Sequence, residues 1–189
     1  MLLGAGTLAT AVVLSGCSGG GMPGMDMGAG ASMPSATASS TASFNAADVT
    51  FAQMMKPHHE GAVAMSDVLL AKQGIDQRVV DLAKAIKAAQ QPEIVQLTTW
   101  LKAWGADSSM AGMNMSMAPG DMSALEKAQG TEAAKLFLQQ MTVHHQSAIQ
   151  MAQAEITNGK DPAAKKLAQD IVTSQTAEIE TMKTILASL

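Results

Sequence analysis

Residues 54–65 read MMKPHHEGAVAM, and residues 141–151 read MTVHHQSAIQM. Adjacent histidines inside a run of helix formers are costly unless they serve a purpose, so their direction matters. At 100° per residue, Met55, His58, His59, Ala62 and Met65 fall within an arc of about 120°, the width of a core-facing stripe. The same holds for Met141, His144, His145, Ala148 and Met151, each 86 positions later. The histidines therefore lean inward on two equivalent helices.

The correspondence extends outward from these stretches. Gln90, Glu93, Ile94 and Leu97 match Gln175, Glu178, Ile179 and Met182 at an offset of 85. Asn45 is read as the cap of the first helix, with Asp48 in its first turn and a stop near Gly74. Asp76 caps a second helix ending near Trp104 and Gly105. Ser123 and Glu126 form a capping box for a short helix, Thr131 caps the next helix, which reaches Asn158 and Gly159, and Asp161 with Pro162 opens the last. Two hairpins, each with one apolar stripe, bury it most simply against each other. The expectation is an all-α four-helix bundle, with repeat one at 44–105, a Met-rich loop at 106–122 and repeat two at 123–189.

Acids follow the histidines inward. Glu93 and Gln90 share a face with Leu82, Ile86, Ile94 and Leu97, and Glu178 and Gln175 share one with Leu167, Ile171, Ile179 and Met182. Counted from the hairpin turn, His58 and Glu93 differ in height by about 5 Å at 1.5 Å per residue. Polar groups from all four helices should meet in one layer, because a buried acid needs a partner. The plain alternative is that each histidine only hydrogen-bonds a nearby Glu or Gln and fixes helix register. Recurrence of the whole pattern favours ligands: His58, His59, His144 and His145, with Met55, Met65, Met141, Met151, Glu93 and Glu178. Glu60, opposite Gln146, is read as solvated surface. Pro57 and Pro92 each free a carbonyl near the layer.

Composition narrows the function. Only 3% of the 189 residues are aromatic, and a net charge of −4 without a basic cluster argues against nucleic acid. Residues 1–17 form an apolar run ending in Leu14, Ser15, Gly16 and Cys17, which reads as a secretory signal with a lipidation site at Cys17, although no Lys or Arg precedes the run. A lone cysteine excludes an intramolecular disulfide. Residues 18–43 are rich in Gly, Ser, Ala and Thr and read as a disordered, flexible tether. The expected location is the outer face of the bacterial cytoplasmic membrane or the periplasm.

Sixteen methionines then bear on the metal. Met22, Met25, Met27 and Met33 lie in the tether, and Met110, Met113, Met115, Met117 and Met122 in the central loop, where no core accounts for them. Thioethers select Cu(I), and imidazoles suit copper, zinc, nickel and iron. Copper is the expected ion and zinc the alternative. Di-iron bundles use Glu-x-x-His, and no Glu here precedes a His by three.

The doubled HHxxAxxM, each copy followed by QxxEI, resembles the bacterial domain-of-unknown-function family numbered 305, over about residues 44–189. That resemblance implies a ferritin-like bundle, and the family includes CopM-like copper-binding proteins. It implies an extracytoplasmic protein serving copper tolerance through Met55, His58, His59, Met65, Met141, His144, His145 and Met151. Two departures stand: Ala133 and Ala134 replace a usual Phe-Asp pair in the second copy, and Lys56 replaces an apolar residue. Asp48 is accordingly read as a helix-start residue. The leading expectation is a lipid-anchored copper-binding protein that is not an enzyme and passes copper to a copper-handling partner or sequesters it. A redox enzyme with a metal centre in the bundle and a purely structural or protein-binding bundle are the alternatives.

Overall fold

The computed structural model describes residues 43–108 and 119–189, and all regular structure among them is helical. Five helices follow in order: α1 (Ala46–Leu70), α2 (Gln77–Ala103), α3 (Pro119–Lys127), α4 (Gly130–Asn158) and α5 (Pro162–Leu186). The signal, tether and most of the loop methionines expected from the sequence lie outside the described residues. Among the described residues, no helix is long and apolar enough to cross a membrane.

α1 pairs with α2, α4 pairs with α5, and the two hairpins join chiefly through α1 and α4. The apolar stripes form two core clusters. One gathers Met65 and Leu69 of α1, Leu82 and Ile86 of α2, Phe137 and Met141 of α4, and Met182 and Ile185 of α5. The other gathers Phe51 and Met55, Leu97 and Leu101, Ala148 and Ala152, and Leu167 and Ile171. Following each helix from one cluster to the other shows that α1 and α5 run one way and α2 and α4 the other. α2 thus ends at one end of the bundle and α4 begins at the other, the relation found in a one-crossover, ferritin-like bundle. α3 closes the end at which α4 begins, with Leu125 buried in the core and the Lys72 ammonium donating to the Glu126 carbonyl.

Local sequence accounts for most helix ends. Asn45 and Asp48 make a reciprocal capping box, Asp76 accepts from Arg78 N, and Asp161 accepts from Ala163 N and Ala164 N. Two starts differ from the sequence reading. α3 begins at Pro119, so Ser123 and Glu126 lie within it and do not open it. α4 begins at Gly130, with Gln129 as its cap and no side-chain cap bond, so Thr131 is already helical. Gly130 has a φ of 52°, a conformation open to glycine, and lies beside Gly74, whose φ is 71°. Both prolines sit inside helices that continue through them.

Asp48 does more than start a helix. Fully buried, it accepts from Asn45 N, Lys160 N and Asp161 N, tying the start of α1 to the turn between α4 and α5. Glu155, 1% exposed, stands beside Asp48 there with both carboxyl oxygens buried and without a donor, so a hydrogen bond between the two acids requires a proton on one of them. Gly159 makes room for it: a Cβ at this position would lie 2.0 Å from Glu155 Oε1 and 2.7 Å from the Glu155 carbonyl oxygen. Gly159→Ala is expected to lower stability by about 1–3 kcal/mol, the usual range for overpacking. A denaturant midpoint unchanged by that substitution would contradict the tight packing of the turn.

Candidate metal centre

Between the two apolar clusters lies a polar layer to which every long helix contributes: His58 and His59 from α1, Gln90 and Glu93 from α2, His144 and His145 from α4, Gln175 and Glu178 from α5. The four histidines and both glutamines are buried, and the glutamate side chains are 21% and 20% exposed. The register inferred from the hairpin turns thus brings all eight residues together.

Each hairpin makes one His–Glu pair. His145 Nε2 lies 2.7 Å from Glu178 Oε2 in a well-aligned hydrogen bond. His59 Nε2 lies 2.8 Å from Glu93 Oε2, within bonding distance but less well aligned. The remaining two imidazoles meet across the α1–α4 interface, where the rings of His58 and His144 lie with centroids 3.6 Å apart and planes tilted by 34°. Two cations could not sit so close in a dry interior. Desolvation, followed by the nearness of His59 and His145, lowers the His58 pKa to about 3, and desolvation with the nearness of His58, His145 and His59 lowers that of His144 to about 2. Both rings are neutral at physiological pH, with lone pairs available.

Ser147 is the member of this constellation that sequence reading missed. Its hydroxyl lies 2.6 Å from His58 Nε2 and donates to the His144 carbonyl at 2.8 Å. The signal was present, because Ser147 follows His144 by three and so shares its face. At the matching place in the first hairpin stands Gly61, which has no side chain to offer His144. Both ring nitrogens of His144 are buried without a hydrogen-bond partner, as are Nδ1 of His58, His59 and His145 and Oε1 of Gln90 and Gln175. Buried polar atoms are nearly always satisfied, so this concentration of bare imidazole nitrogens in one layer has the chemistry of a ligand set.

The methionines are divided between the two sides of the layer. Met65 and Met141 belong to one apolar cluster, Met55 to the other, and Met151 packs half-buried against the latter. Met151 also lines a cavity of about 350 Å³ with Phe51, Met54 and Glu155. Met122, expected among the loop thioethers, lies in α3 and packs on the core. Glu60 is exposed and pairs with Lys56, as expected of surface. Among the described residues, no three His, Cys, Asp or Glu side chains already converge as a cation cage.

A family model described as a domain of unknown function (DUF305) matches residues 48–186. The chain belongs to the DUF305 family. Similar solved structures include a DUF305 protein of Streptomyces coelicolor taken to be secreted, 30% identical, with a TM-score of 0.71 over 75% of this chain and 93% of its own. A DUF305 fragment from Deinococcus radiodurans is 27% identical, with a TM-score of 0.68 over 77% and 98%. CopM in its Cu(I)-bound form is 34% identical, with a TM-score of 0.65 over 75% and 96%, and CopM is also solved with Cu(II) and with silver. A comparison with curated proteins finds no match. The DUF305 match spans both His–Glu pairs, so the polar layer lies within the family domain.

Proposed function

We propose that this DUF305 protein is an extracytoplasmic, lipid-anchored copper-binding protein that sequesters copper or delivers it for copper tolerance. The observation that carries the reading is the set of six buried imidazole nitrogens without a hydrogen-bond partner: His58 Nδ1, His145 Nδ1, both nitrogens of His144, and both of His59, whose Nε2 lies near Glu93 without a well-aligned bond. Neutral imidazoles are good ligands for copper and zinc, and thioethers add preference for Cu(I). Met55 and Met65 on α1, and Met141 and Met151 on α4, flank the histidines on either side and supply that softness. An ion entering the layer would draw its ligands together, because they are not already caged. The relationship to CopM, solved with Cu(I), Cu(II) and silver, supports copper over zinc. The secreted character attributed to the Streptomyces relative supports an extracytoplasmic site of action, with anchoring assigned to Cys17 and additional capture of Cu(I) to the methionines of the tether and central loop.

The test is a competitive titration of the purified chain with Cu(I), Cu(II) and Zn(II), beside a variant with His58, His59, His144 and His145 all replaced by alanine. Copper affinity is expected to fall by more than about 100-fold in the variant, beyond the 10–100-fold that loss of outer-sphere partners costs. Circular dichroism would confirm that helicity is retained. Equal affinity in both proteins would remove the histidine layer from the function, and preference for zinc would overturn the assignment of copper.

A further inference from the structure

The hydrogen bonds around the histidines determine which nitrogen of each ring carries its proton, and so which one is free to bind a metal. The Ser147 hydroxyl spends its only proton on the His144 carbonyl. Its oxygen can then only accept from His58 Nε2, 2.6 Å away, which places the proton of neutral His58 on Nε2. Carboxylates likewise accept and do not donate when ionised. Glu178 Oε2 accepts from His145 Nε2 at 2.7 Å, which places the proton of that ring on Nε2; Glu93 Oε2 stands 2.8 Å from His59 Nε2 with poorer alignment, and a carboxylate oxygen at that distance favours a proton on Nε2 there as well. In all three rings the remaining nitrogen, Nδ1, is buried and without a partner.

We infer that His58, His59 and His145 present Nδ1 to the metal, and that Ser147, Glu93 and Glu178 are positioning residues behind them, not ligands. This rests on the copper-binding reading above, and it revises the expectation that the two glutamates bind metal directly. A ligating histidine commonly donates its other ring N–H to a carboxylate or hydroxyl, which fixes the tautomer and raises the basicity of the ligating nitrogen. His144 is the exception. Gly61 leaves it no hydroxyl partner, and neither of its nitrogens makes a well-aligned hydrogen bond. The two halves of the layer therefore differ in one respect: three rings are set in advance and the fourth is free to choose.

Long-range proton–nitrogen correlation NMR on the ¹⁵N-labelled full chain tests this without metal and then with Cu(I), which is diamagnetic. The metal-free spectrum is expected to show His58, His59 and His145 protonated at Nε2. Ser147→Ala should release His58 alone from that preference. On loading with Cu(I), the Nε2 protons should persist while the Nδ1 resonances shift. Glu93→Gln together with Glu178→Gln should keep copper affinity within about tenfold, because a glutamine oxygen still accepts from Nε2–H. Protonation at Nδ1 in the metal-free protein would overturn the inference, as would loss of the Nε2 protons on loading. A chain that takes up no copper yet shows the three Nε2–H tautomers would instead defeat the copper reading, so the two failures are distinct.

Discussion

Replacing His144 with leucine is expected to stabilise the metal-free bundle by about 1–3 kcal/mol while lowering its copper affinity at least tenfold. His144 is 7% exposed and neither ring nitrogen has a partner. An unmade hydrogen bond in a dry interior costs about 1–3 kcal/mol, and full burial of a leucine of similar size contributes about 1.5–3 kcal/mol. The adjacent ring of His58 would then meet an apolar neighbour while its own bond to Ser147 persists. Opposite signs for stability and binding are the mark of a residue retained for function. Urea midpoints and copper titrations on the same two proteins measure both. If His144 served instead to fix helix register, the substitution would destabilise the fold, and that result would remove it from the site.

Raising the pH from about 4.5 to about 8 is expected to weaken the fold through Glu155, and Glu155→Gln should abolish that dependence. Desolvation, followed by the hydrogen bond with Asp48 and its charge, raises the Glu155 pKa from 4.5 to about 8, with Lys165 opposing and Asp161 adding. Burial pushes the Asp48 carboxyl up, but bonds from Asn45, Glu155, Asp161 and Lys160 outweigh this and hold it low. At neutral pH the folded chain thus keeps a proton on Glu155, donated to Asp48, which the unfolded chain has already lost. A group raised in this way supports the fold fully below its unfolded pKa, and the support is lost as pH rises through the folded one. The slope is up to about 1.4 kcal/mol per pH unit and levels off above about pH 8. His58 and His144 act in the opposite sense below about pH 6.5, where the unfolded chain takes up protons that the buried rings refuse. Comparing wild type with the glutamine variant cancels that contribution. A glutamine amide can still donate to Asp48, so the variant should fold normally and gain most at pH 8. Identical pH profiles for the two proteins would show that Glu155 ionises freely.

Much of this architecture was legible in the residues because it is periodic. The helical stripe around His58 and His59, its second copy around His144 and His145, and the distance back from each hairpin turn together placed eight polar residues at one height. Caps at Asn45, Asp76 and Asp161 were readable for the same reason, since each depends on a side chain two or three positions from its partner. The start of α4 was not. Its cap, Gln129, makes no side-chain bond and Gly130 lies beside the distant Gly74, so no local pattern marks it. Asp48 and Glu155 were hidden in the same way, because their meeting depends on the α4–α5 turn coming back to the start of α1. At the site, sequence placed the glutamates beside the histidines but could not say which imidazole nitrogen faces them. That follows from ring orientation, and it separates a ligand from a group that aims one.

The arrangement of exposure across the layer bears on how fast an ion can arrive. Of its eight residues only Glu93 and Glu178 meet solvent appreciably, one on each hairpin. The layer is therefore reached from two sides, and on each side a cation first encounters a negative charge. Such charges raise the local concentration of counter-ions and speed encounter, an effect that salt screens over about 10 Å at 0.1 M. Loading should thus slow as ionic strength rises, while retention, if it rests on the buried imidazoles as proposed, should hardly change.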